Sequence, residues 1–139
     1  MRRRGRSGVR AAEGPFHPAR PGDLFRSVAE TDGSVEPSRL AHALRTTSRE
    51  IVRSAGLSDD VARRASRAQA PKSQQRLREM IEIIDRVGEW AGGRDFAVAW
   101  YRSQPIPAFG GQTAEALVKS GKANAVREYL DGIALGGFA

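Results

Sequence analysis

The chain has 139 residues, enough for one domain or one domain with an arm, and 40% of them are apolar, enough for a core of its own. It has no cysteine, and His17 and His42 are its only histidines, which excludes a disulfide framework, a thiolate nucleophile and a Cys- or His-based metal site. The formal net charge of +7 is uneven: residues 1–69 hold 14 arginines against 8 acids, whereas residues 70–139 hold 9 basic residues against 8 acids, a pattern expected of a chain whose front half meets a polyanion, though it also serves plain solubility.

Residues 1–22 carry Arg2, Arg3, Arg4, Arg6 and Arg10 with Pro15, Pro18 and Pro21 and almost nothing to bury, which predicts a disordered tail. From Asp23 onward the apolar spacing is helical and no window alternates as a strand would, so the fold class is all-α. A short helix is predicted over 23–30, ended by the Asp32–Gly33 turn. Pro37 suits the first turn of the next, with Leu40, Ala43 and Leu44 on its inner face. Thr47 or Ser48 can cap a helix carrying Ile51, Val52 and Ala55, which Gly56 stops. Ser58 is placed to cap one more short helix, with Asp59 and Asp60 in its first turn.

Beyond Pro71 the longest helix is predicted over 73–91, burying Leu77, Met80, Ile81, Ile84, Val87 and Trp90 and ending at Gly92–Gly93. A helix over 95–102 and a loop with Pro105, Pro107, Gly110 and Gly111 follow. Thr113 caps a helix that Gly121 closes, and a last helix over 123–131 leaves a small, apolar end. The expected division is a tail (1–22), a helix-turn-helix-like region (23–70), and a long connecting helix with a small C-terminal helical domain (71–139). No apolar run approaches the roughly 18 residues of a membrane span, and the arginine-rich start lacks the apolar stretch of a secretion signal, so a cytoplasmic protein is expected.

Residues 49–67 read as a helix-turn-helix. Ile51, Ala55, Leu57, Ala62 and Ala65 fall at packing positions, Gly56 at the turn, and the second helix projects Arg63, Arg64 and Arg67, with Ser58 at its start. An arginine fork can bond a guanine edge or neutralise a phosphate. The alternative is an ordinary helical hairpin with a solvated arginine face. A second constellation runs from Trp100 through Pro105, Phe109, Gly110 and Gly111 to Thr113, a compact loop with an aromatic rim of the kind that binds proteins. Here Trp100 and Phe109 could equally be core residues pinning two helices.

The last forty residues resemble the toxin-binding domain of the Xre/MbcA/ParS-type antitoxins, through Trp100, Pro105, Phe109, Gly110, Gly111, Thr113, Leu117, Gly121, Val126, Leu130, Ile133 and Gly136. The similarity continues more weakly upstream, over 39–90, where these antitoxins carry an Xre-like helix-turn-helix and a long helix. Two departures stand out: Ile106 occupies a place where Asn is frequent, and Ala114 one where Pro usually follows the threonine. The resemblance implies a partner toxin of the RES-domain class, which consumes NAD or transfers its ADP-ribose. It also implies operator DNA as a second partner and a homodimer within a toxin–antitoxin assembly. Carried onto this chain, the blocking element is the last helix with Leu135, Gly136, Gly137, Phe138 and Ala139. The glycines would permit close approach, Phe138 would supply an apolar plug, and a terminal carboxylate could pair with a cationic site.

No nucleophile stands beside a base, His42 lies among apolar neighbours on its helix, and Gly110–Gly111 is too little for a phosphate loop. The expectation is a non-catalytic antitoxin without cofactor or metal. The alternative is a stand-alone helix-turn-helix regulator whose C-terminal helices dimerise it, and a third reading is a basic nucleic-acid binder that uses the arginine-rich tail.

Overall fold

A computed structural model describes residues 22–136; most of the predicted tail, and Gly137, Phe138 and Ala139, lie outside the described residues. Within them the chain is all-α: α1 (Asp23–Val28), α2 (Pro37–Leu44), α3 (Ser48–Ser54), α4 (Asp60–Arg63), α5 (Ala65–Ala68), α6 (Pro71–Ala91), α7 (Arg94–Ser103), α8 (Ala114–Lys119) and α9 (Ala123–Gly136), with a 3-10 turn at Pro107–Phe109. The predicted caps explain most boundaries. Thr47 accepts the Glu50 N–H and Thr113 the Ala116 N–H, both at 3.1 Å, which satisfies donors the first helical turn leaves open. Gly56, Gly92 and Gly121 follow α3, α6 and α8 at positive φ. The long helix starts two residues earlier than predicted, because Pro71 serves as its first residue and needs no N–H there.

α6 is the axis on which α1, α5, α7, α8 and α9 pack. Leu77, Met80, Ile81, Ile83, Ile84 and Val87 are each at most 2% exposed, and each full burial contributes about 1.5–3 kcal/mol. Ile83 joins the predicted stripe because helices cover α6 on more than one side. Trp90, predicted buried, is 39% exposed: α6 ends one residue after it, and its ring leans edge-on against Trp100 at 6.3 Å between centroids. One hydrophobic core runs from Leu24 to Leu130, and a small second cluster joins Val52, Val61 and Ala68.

Two buried polar side chains of α6 fasten the N-terminal helices to it. Gln74 accepts the Val35 N–H at 2.8 Å and donates to the Val35 and Ala68 carbonyls at 2.8 and 2.7 Å. Asp85 accepts the Leu24 and Phe25 N–H groups at 2.8 and 3.2 Å, at the start of α1. Burial pushes the Asp85 carboxyl above its ordinary value, against the pull of those two hydrogen bonds.

Candidate functional site

The helix–turn–helix segment begins as expected and then departs. The second helix is broken: Arg64 adopts an extended conformation (φ −122°, ψ 115°), so α4 stops at Arg63 and α5 restarts at Ala65. Ser58 does not cap through its side chain. Asp59 is the residue before α4, and the Ser58 carbonyl accepts the Val61 N–H. The break changes the helical phase, so Ile51 and Ala55 are buried and Leu57 and Ala62 half-buried as packing requires, but Ala65 is exposed. Val61 and Ala68 face inward in its place and close over Val52, which is fully buried.

Ser58, Arg63, Arg64 and Arg67 are all exposed on this segment. Its cations are largely paired. Arg63 bonds Asp60 at 2.6 Å, and Arg53 donates twice to Asp59 at 3.3 and 3.2 Å, with Arg49 3.9 Å from the same carboxylate. These arginines hold both carboxyls below the usual carboxylate range. Arg64 and Arg67 make no ion pair among the described residues. The cationic excess of the front half also thins here: residues 22–69 hold 8 arginines against 7 acids, so most of the surplus lies in residues 1–21.

The turn is welded to the C-terminal helices. At Gly56 (φ +77°) a Cβ would stand 2.9 Å from the Lys119 Cα and from Arg76 Nη1, so no other residue fits without displacement. Arg76 donates to the Val118 and Lys119 carbonyls at 3.0 and 3.3 Å and reaches the Ala55 carbonyl at 3.4 Å, capping the ends of α3 and α8 together. The buried Tyr101 hydroxyl donates to the Ser54 carbonyl at 2.9 Å, and Ser54 Oγ bonds Glu115. Arg102 then bridges Glu50 at 2.7 Å and approaches Glu115 at 3.7 Å. Burial pushes the Tyr101 hydroxyl far above its ordinary value, so it stays a donor. Neither Tyr101 nor Arg76 was singled out from the sequence. The phase of α7, with Ala97 and Tyr101 one turn apart on its buried face, is the signal that finds the tyrosine.

The proline–glycine loop is a closed structure. Ile106 and Gln112 form an isolated β-bridge, and the Ile106 carbonyl accepts from Phe109 and Gly111 at 2.9 and 3.0 Å. Gly110 and Gly111 take φ of 68° and 86°, which the loop requires. Ile106 is 1% exposed: at the place where Asn is frequent, this chain drives an apolar pin into the core. Pro105, Gly110 and Gly111 are exposed, while Trp100 and Phe109 are half-buried, and Phe109 stacks edge-on to Tyr129 of α9 at 6.0 Å.

α9 runs five residues further than predicted. Its last buried residue is Leu130, beyond which Leu135 is 90% exposed and Gly136 also open. The structure therefore brings Phe109 together with α9, and Trp100 together with Trp90, while Leu135 and Gly136 project on the free end of the helix. His42 is exposed. Among the described residues no group of His, Asp and Glu could hold a metal ion, and no helix is long and apolar enough to cross a membrane.

Residues 86–136, from the last turns of α6 to the end of α9, match the family model described as the antitoxin Xre/MbcA/ParS C-terminal toxin-binding domain. No curated protein and no solved structure matches the chain. Over these residues the chain is similar to an antitoxin-type toxin-binding domain, and the resemblance read from Trp100 onward is borne out there.

Proposed function

We propose that the chain is the antitoxin of a type II toxin–antitoxin pair, whose C-terminal half docks on a RES-type toxin and blocks its NAD-binding mouth. The observation that carries this reading is the match over 86–136. The chemistry of the region supports it. The free end of α9 offers Leu135 to an apolar recess, Gly132 and Gly136 have nothing within 4 Å of where a Cβ would stand, and the closed loop presents a preset rim. A bulky face would hold a partner's backbone away; this one does not. Trp100, Pro105, Phe109, Gly110 and Gly111 form that rim, and residues 135–139 the plug.

The same chain, as a homodimer in the toxin–antitoxin complex, represses its own operon through α3 to α5. Arg64 and Arg67, without ion pairs among the described residues, are the cations most available to a duplex, and Arg63 joins them once released from Asp60. The chain acts by occlusion and needs no cofactor.

The test is co-expression with a RES-type toxin, sought first in the neighbouring reading frame. The chain should co-purify with the toxin and abolish its NAD turnover, and removal of residues 135–139 should restore turnover while DNA binding persists. Undiminished NAD consumption with the full chain in excess overturns the antitoxin reading. A second reading, a regulator that dimerises through its C-terminal helices, is favoured by the exposed Phe96 (66%) and Trp90 (39%). It predicts a dimer on a sizing column with no toxin bound.

A further inference from the structure

Three shallow depressions meet along the solvent side of α2. The first lies between the start of α2 and the α4–α5 break and is lined by Arg63 and Arg64, with the acid Glu36 at its α2 end. It shares Ser38 with a second, of about 380 Å³, between α1, α2 and the start of α7. That second depression is lined by Ser27, Ser38, Arg39, His42 and Arg94, with no carboxylate among its described lining residues. It shares Ala43 and Arg94 with a third, which adds Arg45 and the acids Asp23 and Asp95. The cationic groups of α2 and α7 thus continue, through Ser38, the edge that carries Arg63 and Arg64.

We propose that the middle depression seats one phosphate of the DNA backbone, beside those within reach of Arg63 and Arg64. The inference rests on the DNA-binding reading above and extends it to residues outside the helix-turn-helix. Arg39 and Arg94 supply two guanidinium forks, and Ser38 and a ring N–H of His42 add donors, a set suited to a phosphodiester oxygen. Ser27 contributes less, because its hydroxyl already donates to the Leu24 carbonyl at 2.8 Å. Arg39 is also bonded to Glu30 at 3.1 Å, but both side chains are more than a third exposed, and such surface pairs open at little cost. Backbone contacts of this kind position a protein on a duplex without reading its sequence. Arg94 lies within the matched domain, so that domain would touch DNA as well as toxin.

The experiment uses the full chain and two labelled duplexes several turns long, one the scrambled counterpart of the other, followed by anisotropy across a salt series. The double replacement Arg39→Gln/Arg94→Gln should weaken binding by the same factor on both duplexes. It should also make the log–log salt slope shallower by about 1 for each protomer bound, the signature of one lost phosphate contact per chain. Arg63→Gln/Arg64→Gln serves as the comparator. If that pair weakens binding while Arg39→Gln/Arg94→Gln leaves affinity and slope unchanged, the proposal is overturned and the DNA reading stands. If neither pair changes anything, or the unaltered chain ignores both duplexes, the two fall together.

Discussion

Replacing Gln74 tests the idea that one side chain joins three elements. Its amide satisfies the Val35 N–H, the Val35 carbonyl and the Ala68 carbonyl over 2.7–2.8 Å, and the residue is 6% exposed. Gln74→Met keeps the volume and removes all three bonds. A net hydrogen bond contributes about 1 kcal/mol, and a buried group left without a partner costs about 1–3 kcal/mol, so the loss is about 3 kcal/mol. The figure belongs at the low end because Gln74 borders an open groove between Ser34 and Arg127, through which water can reach the stranded groups. Gln74→Glu refines the test. The introduced carboxylate can still accept from Val35, but faces two carbonyl oxygens, so its native pKa rises above the unfolded value of about 4.3. Its stability should therefore match the methionine variant or better at pH 4 and fall as pH rises to 7. Urea unfolding followed by circular dichroism measures both. A methionine variant within about 0.5 kcal/mol of the parent, well short of the normal cost of stranded groups, would refute the reasoning.

Gly56→Ala should destabilise by about 1–3 kcal/mol from its left-handed backbone alone, with a further loss from the close Lys119 Cα, read by the same unfolding measurement; an unchanged midpoint would remove the weld between turn and α8. Asp59→Asn with Asp60→Asn releases Arg53 and Arg63, so duplex affinity should rise and the salt slope steepen by about 1–2, whereas an unaltered slope would mean these arginines do not face the duplex. Asp85, its carboxyl raised by burial, binds more protons folded than unfolded, so its own contribution to the parent's stability declines as pH climbs from 3.8 through the native value. Asp85→Asn retains an acceptor for the α1 N–H groups and should flatten that decline, which paired unfolding curves at pH 4 and 7 would detect.

Much of the helix order was legible because it is written locally: Thr47, Pro37, Gly56, Gly92 and Thr113 act within their own turn. The break at Arg64 was not, since no proline or glycine marks it and the advantage lies in seating Ala68 beside Val52. The length of α9 was underread because Gly132 weakens a helix without ending one. In the C-terminal half, the loop and its glycines could be read as a unit. Gln74, Arg76 and Tyr101 could not, because they bond groups 39, 42 and 47 residues away and leave no periodic trace. Ile106 shows the converse: a residue that departs from the family pattern proves to be an anchor of the loop.

The joint at Gly56, where the backbones of two regions touch and Arg76 staples both, removes the hinge that a two-part adaptor would otherwise possess. Under the proposed reading, a toxin held by the far half would ride at a constant angle to a duplex held by the near half. Toxins on neighbouring copies would then collide or mesh according to the spacing of the tracks beneath them, with that spacing read out through a single residue without a side chain.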